Sequence, residues 1–145
     1  MEIEQIHEFS QINKAFYEIL DTFEDLGEIV VIDEFIKKLS EYACVFIMRN
    51  DKQCIAFAAV YMNDTKTKKA YISLIGVSPT YQRKGFGGQL LSYCEKKAWD
   101  NGMKTIELEV KKSNQKAQSL YKKAGYNYLN RESNRSFFMS KELDY

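Results

Sequence analysis

The sequence predicts a mixed α/β domain in which a mostly antiparallel sheet is interrupted near its middle by one strand-helix-strand crossover. Three observations carry this: apolar stripes at helical spacing before residue 43, apolar and β-branched segments separated by polar turns over 44–77, and a glycine-rich turn and helix between two further strands. With 145 residues, 45% apolar and 28% charged, residues 1–145 read as a single domain with one core.

The elements follow in order. Ser10 is placed to cap a first helix whose stripe is Ile12, Ala15, Phe16, Ile19, Leu20 and Phe23, with a stop near Gly27. Asp33 is placed to cap a second, carrying Phe35, Ile36, Leu39 and Tyr42 on one face. Residues 44–48 and 54–62 read as an antiparallel hairpin across Arg49-Asn50-Asp51-Lys52, and a polar turn over 63–69 leads into a third strand over 70–77, closed by Pro79. The next helix shows Leu90, Leu91, Cys94 and Ala98 on one face and stops at Asn101-Gly102. In the strand over 105–110, Ile106, Leu108 and Val110 alternate with Glu107 and Glu109, so one face is expected apolar and the other acidic. Ser113 is placed to cap a helix containing Ala117, Leu120, Tyr121 and Ala124, which ends at Gly125. Residues 126–129 and 136–143 form a final hairpin.

Composition excludes several classes of function. A net charge of +1 speaks against a broad nucleic-acid footprint, so no nucleic-acid partner is expected. No apolar run is long enough to cross a bilayer and the first residues are acidic, so no membrane association and a cytoplasmic location are expected. Cys44, Cys54 and Cys94 are odd in number and lack C-x-x-C spacing, which fits buried thiols and neither a disulfide framework nor a zinc site. His7 is the only histidine, which disfavours histidine-based triads and metal hydrolysis, and no metal is expected.

The segment most informative about chemistry is 74–91, a strand leading through Gln82-Arg83-Lys84-Gly85-Phe86-Gly87-Gly88 into a helix. Glycines let a backbone approach a ligand closely, and the free N–H groups of a helix start, together with the helix dipole, favour an anion. Arg83 and Lys84 add positive charge there. A tight turn alone would also account for the glycines. The spacing satisfies neither G-x-x-x-x-G-K-[ST] nor a G-x-G-x-x-G placed directly after its strand.

Gln82-Arg83-Lys84-Gly85-Phe86-Gly87 resembles the acyl-CoA loop of the GNAT superfamily, Q/R-x-x-G-x-G/A. The Val77-x-Pro79 strand end and the helix Asn114-x-x-Ala117-x-x-Leu120-Tyr121-x-x-x-Gly125-Tyr126 resemble the same family. The resemblance is firm over 70–129 and elsewhere extends only to the order of elements. It implies a GNAT-type acyl-CoA N-acyltransferase fold, acetyl-CoA as co-substrate and N-acetyltransferase activity. It further implies that the strands over 70–77 and 105–110 splay to admit pantetheine, aided by a bulge near Gly76. By position, the Ile75 N–H polarises the acetyl carbonyl, Val77 pairs with pantetheine, and the amides from Arg83 to Gly88 hold the pyrophosphate.

Acetylation of an amine requires a neutral nucleophile, stabilisation of the oxyanion and a proton for the departing thiolate. Tyr121 resembles the family's tyrosine acid, the other reading being a packed ring. Glu109, five residues before Asn114, resembles the base of the ribosomal-protein N-terminal acetyltransferases, the other readings being a solvated carboxylate with ordered water, or no protein group, as base. Histone-type relatives place a glutamate where this chain has Tyr71. Asn114 resembles the family's asparagine beside the CoA arm, and a local capping role fits it equally well. The expected partner is a small-molecule or peptide amine acceptor, with a homodimer left open. Glu24, Asp25 and Glu28 hint that the amine is cationic. A catalytically silent acyl-CoA-binding or interaction module of this fold is the alternative.

Overall fold

The computed structural model describes residues 2–23 and 32–145. The strands are β1 (Ile3–Ile6), β2 (Ala43–Asn50), β3 (Gln53–Asp64), β4 (Lys69–Val77), β5 (Thr105–Lys111), β6 (Asn127–Glu132) and β7 (Ser136–Glu142). The helices are α1 (Phe9–Ile19), α2 (Ile32–Tyr42), α3 (Phe86–Asp100) and α4 (Gln115–Lys123). All strands join one seven-stranded sheet in the order β1-β2-β3-β4-β5-β7-β6. Every neighbouring pair is antiparallel except β4 with β5, which are parallel and connected through α3. This is the mixed α/β architecture expected from the sequence.

Apolar clusters lie on both faces of the sheet. On one, Phe46, Met48, Ala56, Ala58, Val60, Ile72 and Leu108 meet Leu90, Leu91, Cys94 and Ala98 of α3 and Tyr121 of α4. On the other, Val45, Ile47, Phe57 and Ala59 meet Ile12, Phe16 and Ile19 of α1 and Ile36 and Leu39 of α2. β3 is covered from both sides, which is why its sequence from Cys54 to Val60 is continuously apolar where a half-exposed strand would alternate. Cys54 and Cys94 are buried free thiols and Cys44 is half-buried.

Several expected boundaries shift. β1 is an edge strand of four residues, too short to leave an alternating signature. The helix expected from Ser10 begins at Phe9, with Glu8 at its N-cap and the Glu8 N–H donating to Gln11 Oε1 at 3.4 Å. Asp33 lies inside the first turn of α2, where its charge favours the helix dipole. Asn114, and not Ser113, caps α4, its Oδ1 accepting from the Ala117 N–H at 3.1 Å. The expected helix stop at Gly27 lies outside the described residues.

Candidate functional site

The site begins with the parallel pair. β4 and β5 are in register from Lys69 with Thr105 to Ile72 with Leu108, and the pairing stops there although β4 runs on to Val77 and β5 to Lys111. Beyond that rung the facing edges form a fork. The segment of β4 left unpaired on this side, 73–77, contains both Ile75 and Val77.

A bulge occurs in β4 at Ser73, where Ala59 pairs with Leu74 and Val60 with Ile72. The expected position near Gly76 is thereby corrected, since Phe57 and Gly76 pair in regular register. The extra residue changes the phase of the strand, so Ile72, Ile75 and Val77 all join the cluster under α3 and α4 while Leu74 joins the opposite one. Gly76 has a different reason to be glycine. A Cβ there would lie 2.8 Å from Phe23 Cε1 and 3.1 Å from Thr22 Cγ2, so the chain following α1 rests directly on the strand. The Phe23 ring is stacked on Phe16, 6.4 Å between centroids. Thr22 and Phe23 wall the fork on the α1 face, a placement signalled in the sequence only by Phe23 continuing the α1 stripe.

The glycine loop closes one end of the fork. Gly85 is the N-cap of α3 at φ 85° and no side chain caps the helix, so the N–H groups of Phe86, Gly87 and Gly88 have no partner within the helix. A Cβ on Gly87 would touch Leu120 Cδ2 at 3.7 Å and Val77 Cγ2 at 3.8 Å, so the loop meets the end of β4 and α4. A Cβ on Gly88 would meet nothing within 4 Å, and its φ is not positive. Neither packing nor backbone geometry requires glycine at 88, and close approach of a ligand would explain it. Gln82 Nε2 donates to the Val77 carbonyl at 2.8 Å, making Gln82 a brace between the loop and β4. Arg83, at φ 65°, and Lys84 are exposed, with Lys84 Nζ 5.7 Å from the Tyr81 ring. Phe86 is half-buried against the core.

The two acid–base candidates sit on opposite faces of the sheet. Tyr121 belongs to the cluster beneath α3 and α4 and is 7% exposed. Burial pushes its phenol up to about 12, so the hydroxyl is protonated throughout the neutral range. Glu109 follows the last rung of the parallel ladder and pairs with Phe138 on the opposite face, where it is exposed. Its neighbour Glu107 is buried and held by Arg131 Nη2 at 2.8 Å and Lys69 Nζ at 3.1 Å. Arg131 also lies over the Phe138 ring, 4.7 Å from its centroid. Burial, and secondarily the charge of Glu109, raises the Tyr71 phenol. The expected division of β5 into an apolar and an acidic face is therefore present, and ion pairs neutralise one of the two carboxylates. Sequence spacing gave no sign of the pairing of Glu107 with Arg131, which lie 24 residues apart.

The structure thus gathers Ile75, Val77, Gly87, Leu120 and Tyr121 along one side of the fork and places Glu109 on the other. Asn114 lies at the start of α4, its side-chain oxygen taken by capping. Glu24, Asp25 and Glu28 lie outside the described residues. No helix among the described residues is long and apolar enough to cross a membrane.

Comparison with known proteins gives the following likenesses. The model of the acetyltransferase (GNAT) family matches residues 6–126. The uncharacterized N-acetyltransferase YhfO of Bacillus subtilis is 28% identical over 120 residues, 79% of this chain and 80% of that one. The ribosomal protein bS18-alanine N-acetyltransferase of Escherichia coli K12 is 36% identical over 70 residues, 48% of this chain and 47% of that one, so the match spans about half of the relative. Among solved structures, the ribosomal-protein-S18-alanine N-acetyltransferase of Escherichia coli superposes with a TM-score of 0.80 at 21% identity, covering 99% of this chain and 94% of that one. The PaiA N-acetyltransferase of Thermoplasma acidophilum, in complex with coenzyme A, superposes with a TM-score of 0.76 at 20% identity, covering 98% and 99%.

Proposed function

Because this chain belongs to the acetyltransferase (GNAT) family and is an acetyl-CoA-dependent N-acetyltransferase, we propose that it transfers the acetyl group to a primary amine by direct attack across the β4–β5 fork. The observation that carries this reading is the end of the parallel ladder at Ile72 and Leu108, with a glycine-started helix and the helix of Tyr121 converging on the same opening.

In this reading the amides of Phe86, Gly87 and Gly88 hold the pyrophosphate, with Arg83, Lys84 and the N–H of Gly85 contributing. Pantetheine lies along residues 75–77 as an added strand, pairing with Val77, while the Ile75 N–H polarises the acetyl carbonyl. Gln82 acts through the loop it braces, and Phe86 anchors the loop to the core. The Asn114 side-chain nitrogen faces the CoA arm once its oxygen is engaged in the cap.

The amine approaches on the Glu109 face. Glu109 accepts its proton, directly or through water, and the neutral nitrogen attacks the acetyl carbon. Tyr121, on the other face, donates a proton to the sulfur as the carbon–sulfur bond breaks, and the phenol is restored through solvent by the proton that the new amide nitrogen gives up. Acid and base are thereby kept apart by the sheet and meet the reactants only at the fork.

The amine acceptor is proposed as a primary amine on a small molecule or a peptide, and a protein N-terminal alanine is the first to test because a relative is named for that acceptor. The test measures CoA release with a bS18 N-terminal peptide, a polyamine, an aminoglycoside and an amino sugar, alongside acetyl-CoA calorimetry. Turnover with any of them supports the reading. Tight acetyl-CoA binding without turnover across an extended amine panel would overturn the primary-amine acceptor and the direct attack proposed here.

A further inference from the structure

We infer that Glu95, Tyr126 and Lys141 form a network around a buried carboxylate that positions the ring of Tyr121, an inference that rests on the proton-donor role proposed above for Tyr121. The three side chains come from α3, the turn after α4, and β7.

Glu95 is 3% exposed. A carboxylate so far from water is strongly unfavourable unless its charge and lone pairs are matched. Both oxygens are matched: Lys141 Nζ donates to Oε1 at 3.0 Å and the Tyr126 hydroxyl donates to Oε2 at 2.9 Å. Apolar groups packed in place of the Glu95 carboxylate, the Lys141 ammonium and the Tyr126 hydroxyl together would serve stability about as well, because such joint replacements are often neutral or stabilising. The carboxylate is better explained by what it orients.

What it orients is Tyr126. This residue is 2% exposed, and its ring meets that of Tyr121 at 5.8 Å between centroids with planes tilted by 58°, within the range of favourable aromatic pairs. The Tyr126 N–H also donates to the Tyr121 carbonyl at 2.9 Å, closing the end of α4 through Gly125 at φ 101°. Tyr126 therefore grips Tyr121 through both main chain and ring while its own hydroxyl is pinned. A phenylalanine at 126 would fill nearly the same volume and lack only the bond to Glu95. The hydroxyl fixes an angle where bulk alone would leave the ring free to rock.

Orientation matters for a proton donor because transfer requires hydrogen-bond reach to the sulfur, and small misplacements reduce rate steeply. Lys141 completes the device by neutralising Glu95 and laying its stem along the turn, where a Cβ on Gly125 would lie 3.4 Å from Lys141 Cε.

A double-mutant cycle tests this with single-turnover acetyl transfer and acetyl-CoA calorimetry on Tyr126→Phe, Tyr121→Phe and the double variant. We expect Tyr126→Phe to slow the chemical step about threefold to thirtyfold when Tyr121 is present and less than about twofold when Tyr121 is already Phe, with acetyl-CoA affinity unchanged. Equal slowing in both backgrounds would mean that Tyr126 serves the fold alone and would overturn the network. A Tyr121→Phe enzyme as fast as wild type would overturn the proton-donor reading itself, and the positioning inference with it. If Tyr126→Phe loses its fold, Glu95→Gln in the same two backgrounds reads the coupling, because a neutral amide forms no ion pair with Lys141 and has a single oxygen where Glu95 offers one to each donor.

Discussion

Ile72 stands opposite Leu108 as the last rung of the parallel β4–β5 ladder, and both side chains belong to the core beneath α3 and α4. The rung anchors the closed end of the fork. Everything proposed about catalysis depends on what happens one or two residues beyond it.

The amides at the start of α3 are the first point to test. Gly88→Val should fold normally, because a Cβ there meets nothing within 4 Å, and should weaken acetyl-CoA binding by at least about tenfold by occupying the anion's place. Calorimetry on the folded variant decides this, and wild-type affinity would remove the pyrophosphate assignment. Gly87→Val is a companion, since its Cβ makes only ordinary contacts with Leu120 and Val77.

Loss of the Tyr121 hydroxyl should slow turnover by about tenfold to a thousandfold while acetyl-CoA binding stays nearly intact, the usual size for a single general acid. With its phenol pushed up to about 12, Tyr121 should remain a competent acid as pH rises from 7 to 10. A rate limb near pH 8 that disappears in Tyr121→Phe would contradict this.

Glu109→Gln should leave the fold unchanged, since Glu109 is exposed, and should lower the acetylation rate in single turnover. A rate equal to wild type would leave ordered water as the base.

Gly76→Ala should force Phe23 away from β4, because the added Cβ would lie 2.8 Å from its ring. We expect a loss of about 1–3 kcal/mol in denaturant unfolding, the usual effect of overpacking. The acceptor KM should rise while acetyl-CoA affinity holds. Unchanged stability and KM would show that Phe23 does not wall the acceptor side.

Alkaline stability depends on buried acids, Cys54 and Tyr121 among them, with Cys94 and Tyr126 raised by burial as well. Burial raises the Cys54 thiol from 9.0 to about 12 and the Tyr121 phenol from 10.0 to about 12. In each case the unfolded chain ionises first, so it binds fewer protons than the folded one between the two values and stability falls as pH rises. The contribution is fully present below pH 9 and is lost through the window from 9 to 12, with a slope of up to about 1.4 kcal/mol per pH unit per group. Denaturation midpoints at pH 8 and pH 11 measure it, and Cys54→Ala should flatten the lower part of the slope.

What the sequence made legible was local. The stripes of α1 to α4 and the alternation of β5 are set by neighbours within a turn or two, and the glycine loop is a continuous string whose backbone role depends on its own residues. The Ser73 bulge was misplaced because a bulge is defined by the partner strand, and nothing in Ser73 itself counts the residues of β3. Asn114 and Ser113 are both good caps, and only the observed bond to Ala117 separates them. The bond from Tyr126 to Glu95 spans 31 residues and that from Lys141 spans 46, distances over which no periodicity carries information.

The extra residue at Ser73 also has a consequence for how β4 can vary. Upstream of it even-numbered positions, Ala70 and Ile72, face α3 and α4; downstream the odd-numbered Ile75 and Val77 do. Deleting Ser73 would remove the bulge and leave Ile72, Ile75 and Val77 in regular alternation on the α3 side, whereas flattening the bulge with Ser73 retained would invert the downstream half, sending Leu74 and Gly76 toward α3. The length of this segment is therefore tied to its bulge: losing residue and bulge together preserves the two faces of β4, and losing the bulge alone exchanges them, whereas substitutions could retune either face alone.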